Sequence, residues 1–283
     1  MSIITGTSSD LILIVLPLTP TPVPVSASFK YFSKANSGIG TRKEVKEILK
    51  NKKVSVNDVF VKDGKIQINE EKDIVKCENK IINYKPFVYI MMNKPAGVIS
   101  ATEDNCHKTV IDLLNDEYRT YDIFPAGRLD IDTEGLLLLT NDGILSHNLL
   151  SPKKHVDKKY YVKIAKPLSE NDVKTLENGI KLEENFVTKK AKVEVISENL
   201  HENGDNQVYI TISEGKFHQV KRMFKAVNNE VLYLKRVKMG NLSLDENLKL
   251  GEYRELTEEE LDGLKFWNKF VWQLIWQNVL RKR

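Results

Sequence analysis

The chain has 283 residues, 41% of them hydrophobic, and a formal net charge of +4, which is enough for one substantial core plus a smaller module. Two cysteines, Cys77 and Cys106, and five histidines show no metal-ligand spacing and no disulfide framework, which points to a reducing cytosol. No run of roughly 18 apolar residues is present to suggest a membrane span.

In chain order, the first feature is the apolar run Leu11 to Leu18, followed by a Thr/Pro stretch from Thr19 to Pro24. It has no basic residue before Lys30, so residues 1–29 read as an atypical, disordered leader rather than a secretory signal. Arg42 to Asn51 has the spacing of a short helix, with Val45, Ile48 and Leu49 on one face and Lys43, Lys46 and Lys50 on another. Val54 to Val61 is an apolar run broken by Asn57-Asp58, a pair suited to a hairpin turn. Residues 30–82 therefore read as a compact basic module, and 83–86 as a linker ended by Pro86.

Strand-like runs follow at Phe87 to Met92, Leu136 to Leu139, Tyr160 to Ile164, Lys192 to Ile196, Val208 to Ile212 and Val231 to Lys235. Helical patterns fall between them at Thr109 to Leu114, Ile144 to Leu150, Ser169 to Glu177 and Lys216 to Val227. Strands interrupted by helices without regular alternation predict an α+β domain, residues 87–264, on a mixed, mostly antiparallel sheet. Thr257 with Glu260 predicts a capping box and a late helix. The tail, 265–283, holds Trp267, Trp272 and Trp276 and ends in Arg281-Lys282-Arg283; its pattern assigns it no role.

The most informative segment is Gly127-Arg128-Leu129-Asp130-Ile131-Asp132-Thr133-Glu134-Gly135, followed by four leucines, Leu136 to Leu139. Four leucines bounded by Gly135 and a Thr-Asn-Asp-Gly turn read as a strand buried on both faces, so the acidic loop before it rests on rigid scaffold. A calcium loop fails as an explanation, because its bidentate acid would fall on Asn141 and its middle would be leucines. A solvated acidic turn and a glycosidase carboxylate pair remain open on this loop alone.

The segment Gly127-Arg128-Leu129-Asp130-x-Asp132-Thr133-x-Gly135-Leu136-Leu137 resembles the signature of the ribosomal small-subunit type of pseudouridine synthase. Three further segments agree in order and spacing: Asn93-Lys94-Pro95-Ala96-Gly97, Lys158-Lys159-Tyr160, and Glu214-Gly215-Lys216-Phe217-His218-Gln219-Val220-Lys221-Arg222-Met223. The resemblance runs from about Lys30 to Leu261, and the basic module resembles a small RNA-binding domain known from a ribosomal protein. It implies an isomerase for a uridine in ribosomal RNA, more in keeping with the small subunit's RNA, acting on RNA or a pre-ribosomal particle; the cysteine usage points to the cytoplasm, and a monomer is the default expectation. It also implies Asp130 as the attacking carboxylate.

Breaking the glycosidic bond, turning the uracil and rebonding through carbon 5 involves no net redox change, so no cofactor or metal is expected. An ionised Asp130 in a pocket that excludes water needs a nearby cation; Lys221 or Arg222, on a helix whose buried side is Val220, Met223, Phe224 and Val227, is expected to supply it. Tyr160 is expected to stack on the flipped base, with Tyr161 on the opposite face. Arg128, Arg42, Lys43, Lys46, Lys50, Lys94 and Lys216 are expected at the RNA, with a purely structural role in the Lys94 to Gly97 turn left open as the equal alternative for Lys94. Asp132 and Thr133 are expected to fix the loop by side-chain to backbone hydrogen bonds. A non-catalytic assembly factor on the same frame is the competing reading, and it predicts that Asp130 is replaceable.

Overall fold

The computed structural model describes residues 26–28 and 47–265, with gaps at 63–65, 70–71, 82–84, 86, 120, 184–185 and 197–205. The expectations for most of the leader, for Arg42, Lys43 and Lys46, and for the Trp-rich tail beyond residue 265 lie outside the described residues.

The small module contains β1 (Ser26–Ser28), β2 (Val54–Val56), β3 (Val59–Phe60), β4 (Gln67–Asn69), β5 (Val75–Cys77) and β6 (Lys80–Ile81). The predicted hairpin is present: Asn57 and Asp58 both take positive φ, 49° and 64°, which matches the right-handed strand twist and suits these two residue types. Leu49, Val54, Val56, Val61, Ile68 and Val75 form its core. Residues 26–28, placed in the leader by sequence, pair antiparallel with β4.

The larger domain is a nine-stranded sheet. Its strands are β7 (Tyr89–Lys94), β8 (Phe124–Pro125), β9 (Glu134–Thr140), β10 (Lys158–Ile164), β13 (Lys192–Ile196), β14 (Asn206–Ile212), β15 (Val231–Met239), β16 (Leu242–Ser243) and β17 (Tyr253–Glu255); a separate hairpin joins β11 (Lys181–Glu183) and β12 (Phe186–Val187). The main path runs β13-β14-β10-β15-β9-β7-β17. Among the described residues, every strand pair of this sheet is antiparallel except β9 with β15, as the α+β expectation required. Helices α1 (Asp116–Arg119), α2 (Gly143–Leu150), α3 (Glu170–Asn178) and α4 (Gln219–Ala226) accompany it. The expected helix at Thr109 to Leu114 is a single 3-10 turn, Ile111–Leu113, which ends where Leu114 turns extended at φ −81° and ψ 147°.

Strand β9 separates two cores. Leu137 and Leu139 enter one with Tyr160, Val220, Met223 and Phe224; Leu136 and Leu138 enter the other with Leu145, Leu149 and Met239. All four leucines are fully buried, so each contributes about 2 kcal/mol of apolar burial, and the two-faced strand expected from the run is observed. The predicted cap at Thr257 is also present: Thr257 N–H donates to Glu260 at 2.8 Å and Glu260 N–H to Thr257 Oγ1 at 3.2 Å, opening a helix over 258–265.

Where β9 begins, it meets β15 in parallel with Gly135 opposite Arg236. Gly135 has φ +99°, and a Cβ there would lie 2.3 Å from the Arg236 carbonyl oxygen. Only glycine accepts both the backbone angle and the close approach. This junction fixes where the acidic loop leaves the sheet.

Candidate active site

The loop carrying Asp130 is held from beneath. Lys94, at the end of β7, is fully buried, and its Nζ donates to the carbonyl oxygens of Pro95 at 3.0 Å, Asp130 at 3.1 Å, Ile131 at 3.4 Å and Thr133 at 2.9 Å. Burial pulls its ammonium down to about 8, against a smaller upward pull from Asp132, Asp130 and Glu134. The expectation that Lys94 meets RNA is therefore corrected. Its stem is enclosed by the sheet, and its ammonium gathers the lone pairs of four backbone carbonyls at the turn, which a buried cation needs as partners.

Above the loop, the first turn of α4 supplies a cation, and the residue before it an imidazole. Lys221 Nζ lies 3.4 Å from Asp130 Oδ2 and 2.5 and 2.8 Å from the two oxygens of Asp132. His218 Nε2 stands 3.5 Å from Asp130 Oδ1. Burial disfavours the Asp132 anion, but the Lys221 hydrogen bond and charge outweigh it and hold that carboxyl below its usual range. Of the two cations expected from α4, Lys221 is the one beside Asp130. Arg222, one residue on, points elsewhere and pairs with Glu183 at 2.6 Å, since successive helical residues are about 100° apart.

Two further expectations change. Asp132 binds the Lys221 side chain rather than the backbone alone, and the Thr133 hydroxyl, in a residue 1% exposed, has no hydrogen-bond partner among the described residues. The loop is tied instead by Lys94, by a backbone bond from Thr133 N–H to the Asp130 carbonyl at 3.0 Å, and by Ser100. The Ser100 hydroxyl donates to the Leu129 carbonyl and accepts from the Leu129 N–H, each at 3.0 Å.

Asp130, Tyr160, Arg128, Lys216 and His218 line one open cavity, whose apolar wall includes Leu129, Ile212, Val220 and Leu234. Strand β10 alternates strictly, which puts Tyr160 into the core side at the cavity. Tyr161 faces the other way, edge-on to Tyr209 and Tyr233, as period-2 geometry demands. Arg128 and Lys216 stand at the rim, and Lys50 is exposed on the small module.

Sequence reasoning missed the lock behind His218. Glu214 and Gln219, both buried, join through Gln219 Nε2 to Glu214 Oε1 at 2.8 Å. Glu214 also accepts from Lys189 N–H at 2.8 Å, and Gln219 Oε1 from Lys216 N–H at 2.9 Å. The lock holds His218 at φ 47°, so α4 starts at Gln219 and not at Lys216. Both residues stood inside the quoted motif, but nothing in their spacing marks a buried carboxylate-amide pair.

A cavity with an apolar wall, an acid beside Lys221 and His218, and basic residues in the lining suit chemistry on a nucleic-acid base. Residues 88–226 match the family model of RNA pseudouridylate synthases. An uncharacterised RNA pseudouridine synthase of Bacillus subtilis is 52% identical over 80% of this chain and 94% of its own length. Ribosomal small subunit pseudouridine synthase A of Vibrio cholerae is 44% identical over 79% of this chain and 94% of its own. The crystal structure of a pseudouridylate synthase superposes with a TM-score of 0.58 at 38% identity, covering 84% of this chain and 98% of that one. The chain belongs to the RNA pseudouridylate synthase family, in its ribosomal small-subunit branch, and is an isomerase.

Among the described residues, no helix is long and apolar enough to cross a membrane.

Proposed function

We propose that this enzyme isomerises a uridine of ribosomal RNA, that of the small subunit, with Asp130 as the attacking carboxylate on a flipped base. The observation that carries the reading is that Asp130 lines one cavity with Tyr160 and stands 3.4 Å from Lys221. In the reaction the N1–C1′ bond breaks and the C5–C1′ bond forms, while carbon 5 releases a proton and N1 takes one up. Lys221 Nζ and His218 Nε2 stand 3.4 and 3.5 Å from the two oxygens of the Asp130 carboxylate. Tyr160 stacks on the uracil, whose flat face suits the ring, and Leu129, Ile212, Val220 and Leu234 exclude solvent around it.

Binding is divided. The basic small module, through Arg42, Lys43, Lys46 and Lys50, supplies salt-dependent affinity for folded RNA, and Arg128 with Lys216 holds phosphates at the cavity mouth. The enzyme works as a cytoplasmic monomer without a cofactor, on RNA or a pre-ribosomal particle. A non-catalytic assembly role is not favoured, because the relatives over nearly their whole length are synthases.

Tritium release from carbon 5 of labelled uridine in small-subunit ribosomal RNA tests the reading. The wild type should release it, and Asp130→Asn should abolish release while binding RNA nearly as tightly. An Asp130→Asn enzyme that still converts uridine would remove the carboxylate from its role.

A further inference from the structure

Phe217 is an aromatic residue that packing does not account for. It is 70% exposed and belongs to none of the three apolar cores. One face of its ring is covered by the His218 imidazole, with centroids 3.8 Å apart and planes inclined by 19°. His218 in turn lines the cavity and reaches within 3.5 Å of Asp130. An exposed, braced aromatic thus stands one residue from the wall of the reaction cavity.

The backbone holds it there at a cost. His218 sits in the left-handed region, φ 47°, which non-glycine residues avoid. The buried Glu214–Gln219 pair keeps it so. The turn leaves Phe217 in solvent while Gln219, two positions on, is buried. Its surroundings are cationic: Lys216 and Arg128 stand at the same rim, and Lys216 Nζ is steadied 5.6 Å above the Phe186 ring.

We propose that Phe217, braced by His218, is a stacking platform for the nucleobase adjacent to the uridine held in the cavity. The inference rests on the function proposed above and adds a substrate-positioning contact to it. Extruding one base leaves its neighbour without a stacking partner. An aromatic face restores that partner for any base, and the flanking cations hold the phosphates on either side. The platform therefore lowers the cost of keeping the strand open without choosing the sequence.

The test compares the full-length wild type with Phe217→Ala, Phe217→Leu and Phe217→Trp, using tritium release from an unmodified small-subunit ribosomal RNA transcript. Removing a base-aromatic stack corresponds to at least about a five-fold fall in kcat/KM for Phe217→Ala, carried mainly by a higher KM. Phe217→Trp should restore the wild-type value and Phe217→Leu should not, since leucine keeps apolar bulk without a flat face. Thermal melts should agree among all four, as the residue is exposed. Equal kcat/KM for wild type and Phe217→Ala, or full rescue by leucine, overturns the platform and leaves the proposed function standing. A wild type inactive on this transcript overturns the choice of substrate, and the platform with it.

Discussion

The Lys94 ammonium donates at 3.1 Å to the backbone carbonyl of Asp130 from a position with no solvent exposure. The group proposed to attack the substrate is therefore placed by its main chain, through a cation from the neighbouring strand. Its side chain is left to meet Lys221 and His218.

Lys94→Met removes that tie and takes one donor away from each of four carbonyls. Activity should fall on the order of 100-fold, since about 1 Å of misplacement has that effect. The fold should persist. The pH dependence has a definite sign: with the folded Lys94 near 8 and the unfolded near its ordinary 10.5, the unfolded chain binds more protons between those values. The stability of the wild type relative to Lys94→Met should be level below pH 8 and rise above it, by at most about 1.4 kcal/mol per pH unit. Urea midpoints at pH 7 and pH 9.5 measure this, and a wild-type-minus-variant stability that falls between them would contradict it.

Lys221 and Arg222 are neighbours with separate duties. Lys221→Met removes the cation nearest Asp130 and should lower kcat by about 100-fold or more. Arg222→Met loses the pair with Glu183, a carboxylate side chain 65% exposed, and a 3.4 Å bond to the Phe217 carbonyl, and should change activity a few-fold and stability by about 0.5 kcal/mol. Single-turnover rates on saturating RNA distinguish the two; equal losses would refute the division.

Gly135→Ala should be the most damaging methyl in the domain. It brings a Cβ to 2.3 Å from the Arg236 carbonyl at φ +99°, a loss on the order of 3 kcal/mol. Circular-dichroism melts should show a large drop, with Gly97→Ala as the contrast: its φ is +81° but nothing lies within 4 Å of the added carbon.

Replacing Lys43, Lys46 and Lys50 together by glutamine should weaken RNA binding and flatten its salt dependence. The slope of log affinity against log salt should shrink by about 0.7 to 0.9 for each phosphate that is no longer neutralised. Turnover of saturating RNA should be affected far less. Filter binding at several salt concentrations gives the slope, and an unchanged slope would place the RNA elsewhere.

Several elements and the acidic loop were legible in the sequence by itself. The leucine run, the Asn57-Asp58 turn and the Thr257-Glu260 cap are local patterns, and the structure contains each of them. Period two on β10 sufficed to separate Tyr160 from Tyr161. What only the tertiary structure decided is which distant groups meet. Lys94 lies 36 residues from Asp130 in the chain and Lys221 lies 89 from Asp132. No spacing rule distinguishes a lysine that will be buried against carbonyls from one that will face a phosphate, because both need only a cation on a long stem. The sheet order, with β7 and β15 on either side of β9, sets those distances. It turned one expected RNA-binding lysine into the anchor of the loop, while the step of about 100° along α4 put Lys221 rather than Arg222 beside Asp130.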